Sequence, residues 1–165
     1  MTIIELLTKE LEQEAQTTRK MLERIPDEKY DWQPHPKSMT IRQLATHIAE
    51  LPGWVPMVLN SDELDFATTP YTPVETANTR ELMAYFEKNL DAAREQLKNT
   101  AEDQLWRSWT MRNGQDIYFT DDRAAMIRVT YSQIIHHRAQ MGVNLRLLNI
   151  PIPGSYGPSA DDLSF

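Results

Sequence analysis

Apolar residues recur at steps of three and four along much of this chain, and polar residues fill the gaps between them. Ile4, Leu7, Leu11, Ala15, Thr18, Leu22 and Ile25 form one such stripe, which predicts an amphipathic helix over Ile3 to Arg24. Thr2 stands where an N-cap belongs, and Pro26 follows the last turn. The proline-rich stretch "PDEKYDWQPHPKSMT", residues 26–40, reads as a loop. A second helix is predicted from Ile41, capped by Thr40, with Ile41, Leu44, His47 with Ile48, and Leu51 on its inner face. Pro52-Gly53 should break it before "WVPMVLN" resumes a helical turn. Residues 61–77 are polar, hold two prolines and read as an irregular crossover.

The third helix is predicted over Asn78 to Thr100, burying Leu82, Tyr85 with Phe86, Leu90, Ala93 and Leu97. From Trp106 to Phe119, Asn113-Gly114 sits between two runs rich in aromatics. This is the strongest short hairpin signal, and it predicts a two-stranded ribbon. The fourth helix should run from Asp122 to Leu148, capped by Thr120 or Asp121 and closed by Asn149 and Pro151. The tail "PIPGSYGPSADDLSF" has no period. The expected fold is therefore all-α: a four-helix bundle with a small β-hairpin before the last helix, in one domain over residues 1–165.

Composition narrows the function. A net charge of −7 with scattered Lys and Arg argues against a nucleic-acid binder, which needs a basic face. The absence of cysteine removes disulfides, thiolate metal sites and a cysteine nucleophile, and fits a cytoplasmic protein. "MTIIELLTKELEQEAQ" carries acids where a signal peptide would be basic, and no apolar run reaches membrane-span length, so no membrane partner is expected.

The chain has four histidines. On the fourth helix Val129, Gln133, His137, Gln140 with Met141, and Asn144 share a face, which aims Gln133 and His137 into the bundle beside Met126, Val129 and Met141. His136 is turned about 100° from His137, so "HH" is not a pair of ligands aimed at one ion. His47 lies on or beside the inner stripe of the second helix. Spacing alone leaves two readings open: histidines hydrogen-bonded within the core, or an imidazole site for a borderline ion such as zinc or nickel. No HExxH is present. A ferritin-like di-iron site needs Glu-x-x-His on two helices, whereas Trp32, Leu44, Gln133 and Ile134 stand three before the four histidines.

"MTIRQLATHIAELPGW", followed about ninety residues later by "IIHHRAQMGVNLRLLNIPIPGSYGPSADD", closely resembles the DinB-like family, as does "DWQPHPKSMT" ahead of the second helix. These are damage-inducible-type bacterial proteins grouped with metal-dependent enzymes. The resemblance implies a four-helix bundle with a pocket at one end, and a homodimer. It also implies a metal triad of one His on the second helix and two positions four apart on the last. Carried over, these are His47, Gln133 and His137, with Gln133 standing where the family has histidine. A glutamine carbonyl is a weaker and harder ligand than imidazole. The expected cofactor is a divalent zinc, nickel or iron ion. The expected activity is thiol-dependent transfer or hydrolysis on a small-molecule substrate, and the alternative is a non-catalytic stress-related bundle with a degenerate site.

Glu50 lies one turn after His47 and is a candidate general base, with a solvated surface acid as the plainer reading. Arg138 could hold an anionic substrate or pair with an acid on another helix. Trp54, Trp106, Trp109, Tyr118 and Phe119 are candidates for pocket walls or core. His35, between prolines, reads as structural, and Tyr156 could fold back over the site.

Overall fold

The structure is a computed structural model that describes residues 1–163. Its main helices are α1 (Ile3–Leu22), α2 (Ile41–Glu50), α3 (Trp54–Asn60), α4 (Thr79–Asn99) and α5 (Arg123–Leu147). Strands β1 (Glu63–Asp65), β2 (Ser108–Asn113) and β3 (Asp116–Asp122) form one sheet. No helix among the described residues is long and apolar enough to cross a membrane.

The helix starts follow from side-chain chemistry. Thr2 and Thr40 each accept a hydrogen bond from the third helical N–H, and the Glu5 and Gln43 side-chain oxygens accept one from the cap N–H, so both helices open on a capping box. The α1 stripe is buried from Leu7 onward, as its spacing requires. At the other end of the chain, Asn149 takes a φ of 58°, the left-handed conformation that asparagine tolerates and that stops α5.

Four helices make the bundle, with α3 continuing from α2 after a single 3-10 turn at Leu51–Gly53. Pro52 lacks the N–H that would prolong the α2 ladder. The Nδ2 of Asn89 on α4 donates to the Ala49 carbonyl at 2.9 Å as the helix breaks. A Cβ on Gly53 would lie 2.8 Å from Asn89 Oδ1, so a larger residue there would displace the Asn89 amide that holds the Ala49 carbonyl. Both α1 and α2 pack on α4 and α5, so two helices consecutive in sequence lie across the bundle rather than side by side. The long 26–40 connection permits this crossing.

The sheet differs from the expected ribbon in three respects. First, it has a third strand: β1, inside the 61–77 crossover, pairs parallel with β2, Leu64 opposite Met111. This strand is three residues long and lacks an alternating pattern of its own, so only its partner reveals it. Second, the two-residue turn is Gly114-Gln115, with Asn113 paired to Asp116. Gly114 carries the positive φ of 59° and its N–H is held by Asp65 Oδ1 at 2.9 Å, which shifts the turn by one residue. Third, β3 runs on to Asp122 and bulges at Tyr118, so Thr120 and Asp121 pair with β2. The cap of α5 is consequently Asp122, which accepts from Ala125 N at 2.7 Å.

Asp65 is the hub of this region. The Gly114 and Ala67 amides, with Arg112 beside them, hold its carboxyl below the usual carboxylate range. The backbone N–H of Phe66 reaches the Arg112 carbonyl, and that of Thr69 the Asp65 carbonyl. The crossover is thereby pinned at its start, before it passes over the C-terminal end of α2.

Candidate functional site

His47 on α2 and His137 on α5 meet edge to face, with ring centres 4.7 Å apart and planes at 75°. An ion about 2.0–2.1 Å from one nitrogen of each of two imidazoles sets their centres roughly 4.5–5.2 Å apart, across octahedral to tetrahedral angles. The observed separation fits that range. Each ring is also oriented through Nδ1. His47 Nδ1 lies 2.6 Å from Glu50 Oε1, and His137 Nδ1 lies 3.1 Å from Gln140 Oε1. Both partners are oxygens, so each Nδ1 is placed to donate, and Nε2 is the nitrogen that carries the lone pair in the neutral form of such a ring. Burial pushes the His137 ring below the ordinary histidine range. The Gln140 contact opposes this, and the neighbouring His47 and His136 add to it.

Glu50 is not a solvated surface acid: it is buried, with 8% of its surface exposed. Its Oε1 also accepts from the Tyr71 hydroxyl at 2.8 Å. Burial first, then the hydrogen bond and charge of Glu50, pushes the Tyr71 phenol well up, so Tyr71 stays a donor. Sequence reasoning missed Tyr71 because it lies in the crossover, outside any helical period. The pinning of that crossover by Asp65 brings it onto Glu50. Glu50 thus contacts the His47 ring and the Tyr71 hydroxyl through one carboxylate oxygen.

Gln133 sits half-buried on α5, one turn before His137. Among the described residues no three His, Cys, Asp or Glu side chains gather as they would around one ion. The α5 face is more open than expected: Val129 is exposed, and Gln140 is exposed as well, where it bridges His137 and His136. His136 therefore touches the pair only through Gln140 and by a ring contact of 5.0 Å with His137.

Two cavities flank the pair. One of about 490 Å³ includes Arg42, Thr46, His47, Tyr71 and Val74 in its lining. The other, about 430 Å³, opens on His137 and Gln140, with Leu44 and Asn144. Met39 belongs to the walls of both.

Of the aromatic candidates, Trp54 alone borders the pair, its ring centre 6.4 Å from that of His47. Trp109 is fully buried in the core, and Trp106 and Tyr118 are exposed away from it. Half-buried Phe119 packs against the core. His35 organises its own turn, accepting from Lys37 N at Nδ1. Arg138 does pair with an acid on another helix: its Nη1 lies 2.7 Å from Glu14 Oε2, with both side chains buried. Tyr156 folds back onto that ion pair and not onto the histidines, donating to Glu14 Oε1 at 2.6 Å.

A model of the DinB family matches residues 2–164. The chain belongs to the DinB family. No curated protein matches the sequence. Among solved structures, this DinB-family chain is similar to the DinB-like protein YjoA of Bacillus subtilis, at 18% identity and a TM-score of 0.71 over 91% of this chain and 97% of that one. It is similar to YfiT of Bacillus subtilis, described as a probable metal-dependent hydrolase with an unusual four-helix bundle topology. Identity there is 14% and the TM-score 0.66, over 90% of this chain and 89% of that one. It is also similar to a mutant of the mycothiol-dependent maleylpyruvate isomerase, at 13% identity and a TM-score of 0.63, over 93% of this chain and 65% of that one. At these identities the likeness establishes the shared fold.

Proposed function

We propose that this DinB-family protein is a metal-dependent enzyme that transfers a group between two small molecules, with His47, His137 and Gln133 as ligands of one divalent ion. The observation that carries the reading is the His47–His137 pair, with both Nδ1 atoms anchored on oxygen, which leaves Nε2 as the available nitrogen of each ring. Glu50 fixes the tautomer and tilt of His47, Tyr71 fixes Glu50, and Gln140 does the same for His137. Burial lowers the His137 pKa and so favours the neutral form that can bind a cation. A bound zinc, nickel or iron ion supplies a lowered pKa to a thiol or water, making a nucleophile near neutral pH.

Two cavities, one on each histidine and both walled by Met39, support two substrates and hence transfer, since hydrolysis needs one substrate and water. The likeness to the mycothiol-dependent isomerase supports a low-molecular-weight thiol as one of the two. The test is metal analysis of untagged protein after loading with zinc, nickel and iron. About one ion per chain in the wild type, lost in His47→Ala and His137→Ala, is the expected result. No stoichiometric metal under any loading removes the proposal.

One observation favours a second reading, a non-catalytic bundle with a degenerate site. Gln133 stands one turn before His137 on α5, and no third His, Cys, Asp or Glu among the described residues completes the set. On that reading neither alanine variant changes metal content.

A further inference from the structure

The cavity on the His47 side carries a cation that the metal reading does not use. Arg42, on the first turn of α2, lies with its guanidinium 5.1 Å from the centre of the buried Tyr30 ring. Its Nη1 donates to the Thr76 carbonyl at 2.5 Å. The ring and the carbonyl fix the plane of the group. The remaining fork, Nε and Nη2, is aimed at the Asp31 carboxylate and meets only one of its oxygens, Oδ1, at 3.3 and 3.0 Å. The Asp31 side chain is 89% exposed. A carboxylate matched to an arginine fork uses both oxygens, in two parallel bonds. The fork is therefore held by a loose stand-in, at the wall of a cavity large enough for a small organic molecule.

We infer that this cavity is the binding site of a small carboxylic acid, whose carboxylate displaces Asp31 and takes the Arg42 fork. Arg42 and His47 lie five residues apart on one helix, which is about 7.5 Å along its axis. The ligand is thus an acid whose reacting centre lies several bonds from its carboxylate. Met39, Pro73 and Val74 give its middle an apolar wall, and the Tyr71 hydroxyl, bonded to the Glu50 carboxylate that also meets His47, marks the reacting end. Glu75 is a further acid on the rim. Its side chain is exposed and solvent-screened, and it disfavours a second anionic group there. The inference rests on the metal reading only for which end of the ligand reacts.

The test uses glutarate as the probe and glutaramide as its uncharged control, added to metal-free full-length protein with 13C-labelled methionine and valine methyls. Glutarate, and not glutaramide, should shift the Met39 and Val74 methyl signals in a saturable way. Asp31→Asn removes the internal competitor and should tighten binding about two- to fivefold, the worth of one exposed ion pair. Arg42→Gln should weaken it at least tenfold, as expected for the loss of a charge-assisted bidentate pair. Absence of a glutarate response at Val74 in both the wild type and Asp31→Asn overturns the inference, even should Arg42→Gln fail to fold. An equal response to glutaramide also overturns it. Metal uptake measured on separate aliquots of the same proteins, after loading with zinc, nickel and iron, keeps the two proposals separate: glutarate binding without metal uptake sinks only the metal reading, and metal uptake without glutarate binding sinks only this one.

Discussion

The carboxylate of Glu50 and the imidazole of His47 lie one helical turn apart on α2 and meet at 2.6 Å, with the Tyr71 hydroxyl closing on the same carboxylate oxygen. A ring on an otherwise apolar stripe is thereby locked in one tautomer and one tilt. Carboxylate–histidine contacts of this kind orient metal ligands and raise their basicity. Glu50→Gln keeps the volume and removes the charge. It is expected to weaken metal binding about 10- to 100-fold and to leave the helical circular dichroism unchanged. Tyr71→Phe should act in the same direction and less strongly. Competition titration with a chromophoric chelator measures both, and an unchanged affinity in Glu50→Gln would show that the contact does not serve a metal.

Gln133 precedes His137 by one turn and brings at most an amide oxygen to the site. Replacing it with imidazole through Gln133→His should tighten zinc or nickel binding tenfold or more, about 1.4 kcal/mol. Isothermal titration with each ion checks it. Tight binding in Gln133→His alongside none in the wild type would instead favour the degenerate, non-catalytic reading.

The Arg138–Glu14 pair is structural. It ties α5 to α1 in the interior, Arg138 Nη1 also reaches Thr18, and Tyr156 seals the pair from the tail side. Arg138→Met leaves a buried carboxylate without its cation and should cost about 3–5 kcal/mol in urea denaturation. Tyr156→Phe removes only the hydroxyl and should cost roughly 0.5–1.5 kcal/mol, with faster hydrogen exchange confined to residues 152–162. A loss in Arg138→Met no larger than that in Tyr156→Phe would contradict a buried pair.

Asp65 is one of the carboxylates that make stability depend on pH. The Gly114 and Ala67 amides and Arg112 hold its folded-state carboxyl below the ordinary value of 3.8. Its contribution to stability is therefore fully present above that value, and is lost as pH falls through the lower folded-state value. Asp65→Asn should lower the melting temperature at pH 7 and flatten its fall in acid. It should also loosen the turn at Gly114 and the crossover that carries Tyr71. Thermal melts between pH 2.5 and 7 measure this, and parallel acid limbs for the two proteins would exclude the assignment.

Much of this architecture is written in local pattern. The α1 stripe, the two threonine capping boxes, the break at Pro52-Gly53 and the stop at Asn149 depend on side-chain period, φ preference and neighbouring donors, all of which act within a few residues. His47 and His137 were legible on the same grounds, since helical spacing puts each on an inward or bordering face and turns His136 away.

What spacing cannot carry is contact between segments distant in the chain. The parallel pairing of β1 with β2, the crossing of α1 and α2 between α4 and α5, and the descent of Tyr71 onto Glu50 all join residues separated by loops. No local period encodes such a partner. The same holds for the burial of Glu50, a polar position whose solvent is taken away by a loop rather than by its own helix. The chain by itself determined which helices form and which faces carry the histidines. Only the tertiary structure decided which faces meet, because the free energy of burying and pairing a polar group belongs to the contact and not to either segment alone.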